Sequence, residues 1–150
     1  MCYLMRVLLF IIFSFNTGVA FTQMNSSKDS ITQLFGYACG ITGSPQPFTV
    51  KTIRYVNNVD SVKIRNLATS DNPQEKIHGL LGLYLLGQNG FILSTIDKEL
   101  IKAAKVDSIE VEVCEGCYFG LRRSFKYLLD KKNLKSFYNW YKLAGWKNLK

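Results

Sequence analysis

Histidine and proline are scarce in this chain, and acidic residues are almost missing from its last fifth. The 150 residues include one histidine, His78, and three prolines, none of which follows Pro73. No GxSxG, P-loop, GxGxxG or HExxH motif is present to support a catalytic site. The sequence therefore favours a non-enzymatic protein, and no cofactor is predicted.

Long apolar runs are also missing, except at the N-terminus. Arg6 precedes residues 7–15, which are apolar apart from Ser14, and Gly18-Val19-Ala20 places small residues at a cleavage site. This pattern predicts a signal peptide over residues 1–20, cleaved near Ala20, with an uncleaved anchor as the alternative. The remaining chain has no second apolar run long enough to cross a membrane. We expect it to be exported, to the periplasm or the extracellular space.

Residues 21–150 are predicted to form one mainly α domain, because the chain is long enough for one packed core and is 47% hydrophobic. Its centre is a helix that Asn72 caps and that ends at Gly90. Gly79 and Gly82 lie on the side opposite its apolar face, which predicts that another element packs closely there. The apolar face consists of Ile77, Leu80, Leu81, Tyr84 and Leu85.

Shorter elements surround this helix. Phe48–Val56 fits a helix or a strand, and the spacing of its aliphatic residues favours the helix. A second short helix is expected over residues 60–68, and Ser94 or Thr95 caps another. Residues 109–113 alternate between apolar and acidic side chains, which predicts a minor β element. The inward face of the helix after Ser94 is predicted to be Ile96, Leu100, Ala103 and Ala104.

Two resemblances follow from these segments. Residues 60–90, a short helix, an Asn-Pro turn and a leucine-rich helix, resemble a single HEAT-type helix pair. The signal peptide together with LFGYACG, NPQEKIHGLLGLYLL and CEGC resembles small exported proteins of unknown function from Bacteroidetes-type bacteria. The second resemblance, to small exported proteins, implies export and a helical fold, and it implies no activity.

Three cysteines remain once Cys2 leaves with the signal peptide: Cys39, Cys114 and Cys117. In an oxidising compartment a structural disulfide from Cys39 to Cys114 or to Cys117 is expected. The alternative function is thiol–disulfide chemistry at Cys114-Glu115-Gly116-Cys117. A helix is predicted to begin near Phe119, and a helix N-terminus after a CxxC motif stabilises a thiolate.

A structural metal site is a further alternative. Cys39, His78, Cys114 and Cys117 have the composition of a Cys3His zinc site, although only the CxxC pair has the usual spacing. A packed histidine explains His78 equally well. A c-type haem site is excluded, because Tyr118 stands where CxxCH requires histidine.

Positive charge is concentrated at the C-terminus. Residues 118–150 contain nine Lys or Arg and one acidic residue, Asp130, whereas residues 21–117 contain nine Lys or Arg and ten Asp or Glu. The segment is predicted to form an aromatic-rich helical hairpin with a basic surface. The partner expected is an anionic lipid, a cell-envelope polymer or an acidic protein, with nucleic acid less favoured in an exported protein. A merely solvated face is the other interpretation. The candidate binding residues are Arg122, Arg123, Lys126, Lys131, Lys132 and Lys135.

Overall fold

A computed structural model describes residues 35, 36, 39, 45–115 and 118–143. Six helices and two strands occur within these residues, which confirms the mainly α class with a minor β element. The predicted signal peptide lies outside the described residues. In chain order the elements are α1 (Pro47–Asn57), α2 (Ser61–Ala68), α3 (Pro73–Gln88), α4 (Thr95–Ala104), β1 (Glu110–Glu115), β2 (Tyr118–Ser124), α5 (Phe125–Leu128) and α6 (Lys131–Leu143).

Helix α3 is the centre of the core, as predicted. The Asn72 side chain accepts a hydrogen bond from the backbone N–H of Gln74 at 2.9 Å and so caps the helix. Nine of its sixteen residues are buried, on every side of the helix. A Cβ on Gly79 would collide with the backbone of Ala68 in α2, and one on Gly82 would lie 3.0 Å from a methyl of Ile64. The two glycines therefore let α2 pack directly on α3.

Helix α4 begins with a capping box between Ser94 and Asp97. The predicted inward face of this helix was wrong in two positions, since Ile96 is 72% exposed and Ala103 is also exposed. Asp97 is fully buried instead, and its carboxylate receives two hydrogen bonds from Arg65 in α2, at 2.8 and 2.9 Å. Turning Asp97 inward to Arg65 rotates Ile96 outward, because neighbouring helical residues project about 100° apart.

Strands β1 and β2 form an antiparallel hairpin. The helix predicted to begin near Phe119 was therefore wrong, because residues 118–124 pair with β1, and the next helix starts only at Phe125. The register places Val113 opposite Leu121, so their apolar side chains share one face. On its other edge β1 pairs with Phe35, whose N–H donates to the carbonyl of Glu112 and whose carbonyl accepts from the N–H of Cys114.

Helix α6 closes the core with Leu134, Phe137 and Tyr141, all buried. The ring of Phe137 meets that of Phe35 edge-on, with centroids 5.7 Å apart. The Tyr141 hydroxyl donates to Asn57 at 2.8 Å and accepts from Asn89 at 3.1 Å. These two bonds fix the rotation of α6. Within the described residues, none of the helices combines the length and the apolar character that crossing a membrane requires.

Candidate functional site

Cys39 and Cys114 lie at disulfide distance, with Cα atoms 5.6 Å apart and 75 positions between them in sequence. Both side chains are buried. Of the two partners predicted for Cys39 in the CxxC segment, the structure places Cys114 at disulfide distance from it. Its place beside the Phe35–Val113 bridge gives it a structural role, because it ties the chain near residue 39 to β1.

The third cysteine, Cys117, lies outside the described residues. The motif it belongs to is followed by β2 and not by a helix. No helix therefore begins directly after the CxxC motif among the described residues. The redox interpretation depended on such a helix, because its N-terminus would stabilise a thiolate.

His78 is packed inside the core. Its Nδ1 lies 2.6 Å from the carbonyl of Gln74, one turn earlier in α3, and its Nε2 lies 3.4 Å from the Thr49 hydroxyl in α1. Because a carbonyl only accepts, Nδ1 carries the proton and Nε2 accepts from Thr49. The edges of Phe35 and Phe48 enclose the ring, with centroids 5.3 and 4.7 Å away. Burial lowers the pKa of His78 to about 4, so the imidazole is neutral at pH 7.

Three of the four proposed zinc ligands lie within the described residues, and their polar atoms make other contacts. Cys39 and Cys114 face each other, and both nitrogens of His78 are engaged by Gln74 and Thr49. Among the residues that the structure describes, no group of three or more His, Cys, Asp or Glu side chains is placed to hold a metal ion.

The two candidate arginines face acidic residues of β1. Arg123 donates from Nε and Nη2 to the two carboxylate oxygens of Glu115, both at 2.9 Å. Its guanidinium also lies over the ring of Tyr127, 5.2 Å from the centroid. Arg122 stands opposite Glu112 in the hairpin register. The hairpin therefore offsets the charge of Arg123 by an ion pair, whereas for Arg122 it places an acidic residue directly across the strand pair.

The four candidate lysines have different surroundings. Lys126 on α5 and Lys131, Lys132 and Lys135 on α6 are all exposed. The ion pairs formed among the described residues involve none of them. Asp130, the acidic residue nearest in sequence, turns its carboxylate to the start of α6, where it accepts from the N–H of Asn133 at 2.7 Å.

Lys142 extends this surface, although it was not among the candidate binding residues selected from the sequence. It is exposed near the end of α6, with its Nζ 5.3 Å from the centroid of the Tyr138 ring. Its helical spacing from Lys131 and Lys135 was the signal that could have identified it. We call Lys131, Lys132, Lys135 and Lys142 the lysine face of α6.

Comparison of the chain with protein-family models, with curated proteins and with solved structures finds no match.

Proposed function

We propose that the protein is an exported, non-enzymatic binding module that holds an anionic partner on the lysine face of α6 and on Lys126. One observation carries the proposal. These side chains are exposed, and none of them forms an ion pair with an acidic side chain of the described residues. A cluster of uncompensated like charges attracts anions and repels cations over a distance of about 8 Å at physiological salt.

Export is supported by two separate features. The N-terminal sequence has the charge, apolar run and small residues of a signal peptide. The buried pair of Cys39 and Cys114 at disulfide distance suits an oxidising compartment, where such bonds persist.

The test is binding of the purified protein to anionic and neutral vesicles and to a soluble acidic polymer, each at low and high salt. Wild type should bind anionic probes at low salt and release them at high salt, since exposed charges are screened. The variant Lys131→Glu/Lys132→Glu/Lys135→Glu should lose binding with its melting temperature unchanged.

The matched control reverses three exposed lysines elsewhere, two on α4 and one at its C-cap: Lys98→Glu/Lys102→Glu/Lys105→Glu. It changes the net charge of the protein by the same amount. Retained binding in this control assigns the site to α6, whereas equal loss in both variants would show that only total charge matters. Absence of wild-type binding to every anionic probe at low salt would overturn the proposal.

A further inference from the structure

We infer that the anionic partner is an extended polyanion that lies along α6 across Lys131, Lys135 and Lys142. This inference rests on the proposed function and specifies its partner. Three relations carry it: the alignment of these lysines, the burial of the apolar side of the helix, and the polar character of the exposed side.

The alignment follows from helix geometry. At 3.6 residues per turn, Lys131, Lys135 and Lys142 project within about 40° of one another, and with a rise of 1.5 Å per residue they span about 17 Å. Lys132 projects about 100° away from Lys131 and so lies off this line. Tyr138 lies on the line, and its ring stacks on that of Tyr141, with centroids 6.4 Å apart. The fixed ring holds the ammonium of Lys142 above it.

The burial of the apolar side argues against a bilayer. A helix that binds a membrane surface inserts an apolar face between the lipids. On α6 that face is Leu134, Phe137 and Tyr141, which are 4%, 4% and 0% exposed because they pack in the core. Inserting them would require α6 to leave the fold, so only charge is available to a partner.

The polar character of the exposed side argues against a folded protein partner. Protein interfaces have an apolar, aromatic-rich centre surrounded by polar groups. Beside the lysine line α6 presents Asn139 and Lys132. The aromatic ring on the line, Tyr138, is half-buried with the Lys142 ammonium above it, and the exposed apolar side chain of Leu143 is at the end of the helix. A chain of regularly spaced anionic groups needs no apolar contact, since the counterions released on binding supply the driving force.

The experiment uses oligoglutamates of increasing length, in which about five extended residues cover 17 Å. Affinity at low salt should rise steeply up to this length and only weakly beyond it. Lys135→Gln should weaken binding of the longer oligoglutamates by about fivefold. It should also make the slope of the logarithm of affinity against the logarithm of salt concentration shallower by about one unit.

The matched control is Lys102→Gln, which removes the same charge from an exposed lysine of α4, outside the lysine face. It should change affinity less than twofold. Affinity that does not depend on the length of the oligoglutamate would overturn the inference and leave the proposed function intact. Equal effects of the two variants would mean that α6 is not the binding site and would overturn both. Binding to anionic vesicles without binding to any oligoglutamate would also overturn it, in favour of a bilayer. Binding to neither would overturn the proposed function itself.

Discussion

The hydroxyl of Thr49 donates to Nε2 of His78 inside the core, across 3.4 Å, and so connects α1 to α3. The same hydroxyl oxygen accepts from the N–H of Gly36 at 3.5 Å. The segment of Phe35 and Gly36 and the two helices thus meet around one buried imidazole. This arrangement requires the imidazole to be neutral, which makes the fold sensitive to acid.

Stability should fall as the pH drops from about 6.5 to about 4. The pKa of His78 is lowered to about 4 in the fold and is near 6.5 in the unfolded chain, so below pH 6.5 the unfolded chain takes up the proton first. The His78 contribution is fully present above pH 6.5, and about 3 kcal/mol is lost by pH 4. Urea unfolding at a series of pH values measures this. His78→Gln should be less stable at pH 7 but show a shallower slope, and an identical slope would refute the assignment.

Gly79→Ala should destabilise the protein although alanine favours helix by about 1 kcal/mol. The added Cβ meets the backbone of Ala68, which cannot move without separating α2 from α3, and overpacking of this kind costs about 1–3 kcal/mol. The control is Gly87→Ala in the same helix, where the added Cβ meets the flexible end of Leu93 at 3.1 Å. The melting temperature of Gly79→Ala should be lower than that of Gly87→Ala. Equal values would mean that α2 does not pack closely at Gly79.

Asp97→Asn should lower the melting temperature at pH 7, because it removes the charge that Arg65 binds and weakens the cap of α4. Hydrogen bonding to Arg65 lowers the pKa of Asp97 to about 2, so its contribution is present above pH 3.8 and is lost as the pH falls through 2. Asp60→Asn is the control, since Asp60 pairs with Lys63 at the surface and asparagine still caps α2. A fall in Asp60→Asn as large as that in Asp97→Asn would contradict the buried role of Asp97.

Reduction should lower stability by up to about 4 kcal/mol, since the Cys39–Cys114 bond closes a loop of 75 residues in the unfolded chain. Melting temperature with and without reductant measures this, and Cys39→Ala should not respond to reductant. Peptide mapping of the oxidised protein should recover Cys39 linked to Cys114. Recovery of Cys114 linked to Cys117 would refute the structural assignment.

Sequence predicted the elements whose signals are local. Asn72 predicts the N-cap of α3, and the glycines of α3 predict the close contact with another element. The alternation in residues 109–113 predicts β1. Prediction from sequence failed where contact with a residue distant in the chain determines the local structure. The apolar spacing of Leu121 and Phe125 suits a helix, but pairing with β1 makes residues 118–124 a strand.

The same limitation applied to the candidate site. Summing charge over residues 118–150 treats Arg123 as free, yet its partner Glu115 comes from the other strand of the hairpin. The rotation of α4 likewise depends on Arg65, 32 residues before Asp97. The lysine face was predictable, because it follows from the spacing of charges along a single helix.

The pairing of Cys39 with Cys114 also divides the chain into a covalent ring and a tail. Helices α1 to α4 and most of β1 lie within the ring, whereas β2, α5 and α6 follow it. A single protease cut in an exposed turn of the ring, such as that at Asn89 and Gly90, leaves one covalent molecule. A single cut just before α6 instead separates the whole lysine face covalently from the rest of the chain, and only packing by side chains such as Phe137 and Tyr141 would then hold α6 in place. Proteolysis at one position could therefore end binding and loosen the fold together.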